Sequence, residues 1–286
     1  MILPMRDANL PYFDFLLSHL AQENAALEKS FGRHVHWGYW RDPASYAGGA
    51  DDFAAAAEAL TRELCAMADI ADGLDILDAG CGFGGTIASM NERFDHLRMV
   101  GLNIDDRQLE RARKMVLPRA GNSIAFQQGD ACALPFEDAR FDRVTAVECV
   151  FHFPGREAFF REARRVLRPG GVLALSDFLP APLFAPIASL VQESLLKTRI
   201  NAFGPVKIDH SFADYRRLAE KTGFIPIEAR DITRNTLPTY AYLQELLAQS
   251  AKGVAGAPLF TLLLDAQRWI SSSGWLKYGL LSFRRA

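Results

Sequence analysis

Residues 74–85 read LDILDAGCGFGG. An acidic residue, Asp78, stands two positions before the first of four glycines, Gly80, Gly82, Gly84 and Gly85, which crowd around Cys81. Glycine at that density lets a backbone pass through positive φ and come close to a bound molecule. Where a helix follows, its first-turn N–H groups point at that molecule as well. The spacing fits two patterns at once. Gly80, Gly82 and Gly85 satisfy G-x-G-x-x-G, the cradle of a dinucleotide pyrophosphate. Asp78, Gly80, Gly82 and Gly84 satisfy acidic-x-G-x-G-x-G, the pattern found around an adenosyl sulfonium. A tight structural turn is the third reading of the same residues.

The surrounding chain must place this loop. The apolar run Leu74–Leu77 reads as a buried strand that ends at glycine, with a helix from about 84 to 93. LRMVGLNID, SIAFQQGDA, FDRVTAVEC and VLALSDF read as four further strands, and DRQLERARKMV and REAFFREARRVL as helices, the second stopped by RPGG. Strands alternating with helices predict a parallel α/β sheet covered on both faces. Upstream, residues 11–30 read as one helix, with Phe15, Leu16, Leu20 and Leu27 at helical spacing, and 51–71 as an alanine-rich helix. FGRHVHWGYW packs aromatics and histidines between them. After 178 the alternation breaks. Residues 180–205 read as an apolar helical insertion carrying Phe184, Ile187, Leu190, Val191, Leu195 and Leu196, and that stripe is either core or one wall of a ligand site. SFADYRRLAEKTGF predicts a helix with Ser211 as N-cap and Gly223 as its stop; IPIEARDI and WLKYGLLSF predict strands around a mostly helical 239–271.

A ligand lying over the carboxyl ends of a parallel sheet meets each strand end in turn. The second strand ends at Asn103-Ile104-Asp105, where a polar side chain reaches ribose hydroxyls. The third is followed by Asp130 and Ala131; the acid can accept from an adenine amine and the Ala131 N–H can reach a ring nitrogen. The fourth ends at Glu148-Cys149, with Phe151 and His152 just beyond. A histidine there is either a structural residue or a general base facing the reacting atoms. This ordered series favours the sulfonium cofactor over a dinucleotide.

Bulk properties narrow the class. The chain has 286 residues, 49% hydrophobic and 23% charged, with a formal net charge of −2. That balance offers no polyanion footprint, so no nucleic-acid partner is expected. No run of 18 apolar residues predicts an integral membrane segment. The N-terminus lacks a signal-peptide core. Cys65, Cys81, Cys132 and Cys149 are scattered without a CxxC pair, which predicts reduced thiols in a cytoplasmic protein and no metal site.

Taken together, LDILDAGCGFGG, VGLNIDDRQLERARK, FQQGDACALPF, FDRVTAVECVFHF and EARRVLRPGGVLALSDF resemble the class I S-adenosylmethionine (SAM)-dependent methyltransferases over residues 34–285. Within them the chain is most similar to the small-molecule group that includes tocopherol, sterol and antibiotic-sugar methyltransferases, through His36-Trp37-Gly38-Tyr39-Trp40. The resemblance implies a Rossmann-like, seven-stranded, mostly parallel sheet with helices on both faces, an antiparallel last strand near 276–283, and a helical lid or cap. It divides the chain into an N-terminal helical lid region (1–72), a cofactor-binding core (73–179), an acceptor cap (180–210) and a C-terminal part of the core (211–286) with a helical insertion at 239–271. It implies that Gly80, Gly82 and Gly84 with Cys81 line the methionine and ribose, that Asp78 orients the turn or reaches the amino group, and that Trp37 and Tyr39 close over the sulfonium. Relatives commonly carry an acid where this chain has Asn103. In antibiotic-sugar O-methyltransferases a histidine and an aspartate act together at positions matching His152 and Asp177, a pairing that raises imidazole basicity. His36, Phe151 and His210 are the expected acceptor contacts, His210 reading more readily as a solvated capping-loop residue. The implied reaction is methylation of a small, natural-product-like metabolite, at oxygen through the His152/Asp177 pair. Carbon or nitrogen methylation of a lipid-, sterol- or alkaloid-like acceptor stays open, as do a SAM-binding protein with other chemistry, an NAD(P)-dependent oxidoreductase, and a homodimer.

Overall fold

The computed structural model describes residues 11–20, 24–119, 121–182, 184, 206–250 and 257–286. The apolar run before the glycines forms strand β1 (Asp75–Ala79), which lies parallel between β2 (Arg98–Asn103) and β4 (Phe141–Ala146). Side chains alternate across a strand. Leu77 and Ala79 therefore enter one core layer, with Phe159 and Phe160, while Ile76 enters the other, with Leu60 and Leu64. Strands β3 (Ser123–Gln128), β5 (Leu167–Pro180), β6 (Phe224–Asp231) and β7 (Leu276–Arg285) complete a seven-stranded sheet of order β3-β2-β1-β4-β5-β7-β6. Strand β7 runs antiparallel to both β5 and β6. The expected Rossmann-like sheet with an antiparallel last strand is thus the one found. Its strand order reverses beside β1, between β1 and β4, the switch point where ligands of such sheets settle.

Helix α1 (Pro11–Leu20) and α2 (Ala25–Phe31) replace the single helix expected over 11–30. The break has a local cause: the Asn24 side chain accepts the Leu27 N–H at 3.1 Å and starts a new helix. The two helices cover the glycine loop. Phe13 meets the Phe83 ring edge-on at 5.9 Å, and Arg111 lies 5.2 Å over the same ring. Helix α3 (Gly49–Met67) then packs Phe53, Leu60 and Leu64 into the molecule.

Helices α4 (Gly85–Arg93), α5 (Asp106–Met115) and α6 (Arg156–Val166) follow β1, β2 and the His152 turn. Strand β5 begins directly after α6, so RPGG lies within the strand rather than before it; Leu167 already pairs with Phe141. Helix α7 (Phe212–Lys221) carries the expected cap, a full capping box in which Ser211 and Asp214 satisfy each other's backbone N–H. A short helix α8 (Thr233–Thr236) precedes α9 (Pro238–Ser250) and α10 (Ala257–Ser272), which occupy the stretch expected to be helical. Of the apolar insertion, Ile187, Leu190, Val191, Leu195 and Leu196 lie outside the described residues. No described helix is long and apolar enough to cross a membrane.

Candidate active site

The glycine loop is fixed to the sheet by two backbone bonds. Gly80 N–H and Cys81 N–H both donate to Leu102 O, at 2.7 and 3.0 Å. Gly80 sits at φ +78°, and a side chain there would strike Cys149 at 2.7 Å. Gly82, at φ +54°, differs: a Cβ would meet only Gln108 Oε1, at 3.9 Å. The loop therefore closes tightly on its protein side and opens at Gly82. Gly84 caps α4 without a side-chain hydrogen bond, which leaves first-turn N–H groups without a capping side chain.

Asp78 lies beneath the loop, 1% exposed. Its Oδ1 accepts from Thr145 Oγ1 at 2.7 Å, its register partner across β1 and β4. Its Oδ2 is buried with no hydrogen bond. Burial pushes its pKa up to about 7. An orphaned buried carboxylate oxygen is costly, and it suits a ligand's ammonium group or a water held between them. The open side of Gly82 and the orphan on Asp78 both fit the amino-acid end of SAM.

The next two strand ends are ordered before any ligand arrives. Asn103 is buried; its Nδ2 donates to Gln108 Oε1 at 2.8 Å and its Oδ1 accepts from Ile104 N–H at 2.8 Å. The neutral amide is therefore held in one orientation by a neighbour that a carboxylate could not use in the same way. Asp130 closes a turn on Cys132 N–H at 2.8 Å, and Ala131 is buried beside it.

Glu148 stands at the end of β4 with φ +46°, a conformation that non-glycine residues adopt at a cost of about 1–3 kcal/mol. Its surroundings impose it. Ser176 Oγ accepts the Glu148 N–H at 2.9 Å, and Oε1 accepts Trp37 N–H at 2.7 Å and the Tyr278 hydroxyl at 2.5 Å. Burial pushes its pKa up to about 8. Through Glu148, the N-terminal aromatic segment is tied to the sheet. The Trp37 ring meets Tyr240 edge-on at 4.5 Å and Phe178 at 5.1 Å, while Tyr39 packs against the same core layer. Phe151 closes the group, 5.7 Å from Phe178 and 4.5 Å from the His152 ring. His152 ends the one-turn helix Val150–His152 and is half-buried.

The structure places two of the expected site residues in the core. Asp177 does not pair with His152. On β5 it points to the α6 and α7 side of the sheet, whereas Ser176 and Phe178 point toward Trp37 and Tyr278. Its Oδ2 accepts from Arg156 Nη2 at 2.9 Å and from the Tyr215 hydroxyl, and its Oδ1 from Phe178 N–H at 2.8 Å. Alternation along a strand is the reason. His36 is turned inward. It is 7% exposed, with Nδ1 on Trp37 O at 2.9 Å and Nε2 3.0 Å from Thr61 Oγ1. Burial pushes its pKa down to about 3, so it is neutral and holds the Trp37 turn. His210 is paired with Asp209 at 2.8 Å, within the Arg156 cluster.

Sequence reasoning missed Thr145, Ser176, Tyr240 and Tyr278. Each lies on an apolar strand or helix, and only strand pairing or helix packing brings it to the site.

The chain matches the family model described as "Methyltransferase domain" over residues 77–175. It is 36% identical to "Methyltransferase GfsG" of Streptomyces halstedii over 219 residues, 76% of this chain and 75% of that protein. It is 32% identical to "27-O-demethylrifamycin SV methyltransferase" of Amycolatopsis mediterranei over 263 residues, 91% of this chain and 92% of that one. Among solved structures it is similar to the "[4+2]-Cyclase SpnF", at TM-score 0.72 and 18% identity, covering 96% of this chain and 93% of that chain. The last likeness shows the fold alone.

Proposed function

This chain belongs to the class I methyltransferases, and from that premise we propose that it moves a methyl group from SAM to a hydroxyl oxygen of a small, natural-product-like acceptor. The observation that carries the cofactor is the pairing of an open Gly82 with the orphaned Oδ2 of Asp78. The acceptor class is supported by the relative named for a rifamycin hydroxyl.

When bound, SAM supplies an activated methyl on sulfur, open to in-line displacement. The protein supplies alignment, water exclusion and a base. Asp78 would hold the cofactor's amino group, and the backbone at Gly80, Cys81, Gly82 and Gly84 would line the methionine and ribose. Asn103 and Ile104 would meet the ribose, and Asp130 and the Ala131 N–H the adenine. Trp37 and Tyr39 would supply aromatic surface for the sulfonium, and Glu148 holds Trp37 in place. The His152 imidazole would take the acceptor's hydroxyl proton as the methyl passes from sulfur to oxygen, leaving S-adenosylhomocysteine (SAH) as the second product.

A second reading has its own support. The wall of Trp37, Phe178, Tyr240 and Phe151 suits an apolar acceptor methylated at carbon or nitrogen, where less proton abstraction is needed. The first experiment is calorimetry with SAM and SAH, followed by SAM turnover with hydroxylated polyketides, 27-O-demethylrifamycin SV first. His152→Ala is expected to keep SAH affinity and lose about 10²–10⁴-fold in turnover on a hydroxyl. Unchanged turnover would move the chemistry to the second reading. Binding of NAD in place of SAH would overturn both.

A further inference from the structure

Arg156 is the most heavily engaged buried cation among the described residues, and the reaction outlined above does not use it. It opens helix α6 and is 4% exposed. Its Nη2 donates to Asp177 Oδ2 at 2.9 Å and to Lys207 O at 2.5 Å. Its Nε donates to the Tyr215 hydroxyl at 2.8 Å, and its Nη1 to Asp209 Oδ1 at 2.6 Å. One planar fork thus joins the end of β5, helix α7 and the stretch 206–210, by which the chain returns from the apolar insertion. That stretch is also fastened to the His152 turn: Lys207 N–H donates to Phe151 O at 2.8 Å, and Lys207 Nζ to Pro154 O at 2.5 Å. His152 stands between these two carbonyls.

We propose that Arg156 is a positioning residue, which locks residues 206–210 to the His152 turn so that the root of the insertion and the imidazole are placed as one unit. The inference rests on the role proposed for His152. A guanidinium suits the task because its donors are fixed in a plane and bind several acceptors at once, which a lysine ammonium on a flexible stem does not do. Asp177 and Tyr215 anchor the fork in the core; Asp209, with its side chain 43% exposed, is the arm that ties the stretch 206–210 to it.

Two variants test this without depending on an acceptor. Asp209→Ala removes the exposed arm and leaves the buried pair intact. Arg156→Lys keeps the charge and removes the fork. Hydrogen–deuterium exchange is followed in peptides covering 149–155 and 206–211, with and without SAH, and the His152 ring signal is followed by NMR, assigned through His152→Gln. Both variants are expected to bind SAH within about twofold of the parent, while exchange rises about tenfold in both peptides together. The His152 signal should shift or broaden in step, and Asp209→Glu should restore it. Exchange that rises in 206–211 alone, with an unmoved His152 signal, would overturn the proposal. So would an equal rise across the whole chain in Asp209→Ala, which marks general destabilisation. Failure of the parent protein to bind SAH would sink the cofactor assignment instead, and the exchange comparison without SAH would still decide the coupling.

Discussion

Asp78 and Glu148 are two buried carboxyls with different tasks, and their partners tell them apart. Asp78 keeps one oxygen unpaired beneath the glycine loop, where the ammonium group of the proposed cofactor would be bound. Glu148 gives Oε1 to Trp37 and Tyr278, which is what a strut requires. Gly82→Val tests the cradle: a β-branched side chain at φ +54° is strained and fills the open side, so SAH should bind at least about 100-fold more weakly by calorimetry. Glu148 also predicts a pH dependence. Its carboxyl rises from an ordinary 4.5 to about 8 on folding, so over that interval the folded state holds more protons than the unfolded one. Stability from this group is therefore highest at acid pH and falls as pH climbs through that window. Glu148→Gln keeps Oε1 as an acceptor and cannot ionise. Its Tm should decline less than the parent's between pH 5 and pH 8, and parallel declines would show that the folded Glu148 carboxyl is already ionised over that range and its pKa is not raised.

Elements place these side chains by periodicity. The period of two on β5 sends Ser176 and Phe178 toward Trp37 and Tyr278, and Asp177 toward Arg156 and Tyr215. The dyad inferred from sequence alone is not the pairing found, because Asp177 is bonded to Arg156 and Tyr215 instead. Helix α7 shows the opposite case, where local chemistry suffices. Ser211 and Asp214 form a complete capping box, legible from their spacing. Ser211→Ala should cost about 1 kcal/mol by denaturant unfolding, and because Tyr215 rides on the same helix, exchange near Asp177 should rise as well. No change in stability would mean that packing of Tyr215 and Leu218 carries the helix start.

At the level of the molecule, the switch point beside β1 gathers residues from five strand ends under a cover made by α1, α2 and the Trp37 segment. That cover rests on Phe83 inside the glycine loop, so loop and cover are mechanically linked. SAH at about 100 times its Kd should stabilise the fold by about 2.7 kcal/mol, a rise in Tm of roughly 4–5 °C for a chain of this size. The same assay should show no rise for Gly82→Val. A shift of equal size in that variant would place SAH elsewhere in the protein.

The strands, the glycine loop, the Ser211 cap and the succession of strand-end residues were all legible in the sequence, because each follows from local rules: apolar periodicity, the conformational range of glycine, and hydrogen bonds within a few residues. The family resemblance rested on the same local pieces and extended to the antiparallel last strand. The partners of those residues were not legible. Thr145 meets Asp78 only through the β1–β4 register, and Tyr278 reaches Glu148 across 130 residues. His36 lies inward among Thr61 and His34, and Asp177 belongs to Arg156. Such pairings depend on which strands adjoin and which face a side chain takes, and both are settled by long-range packing rather than by neighbours along the chain.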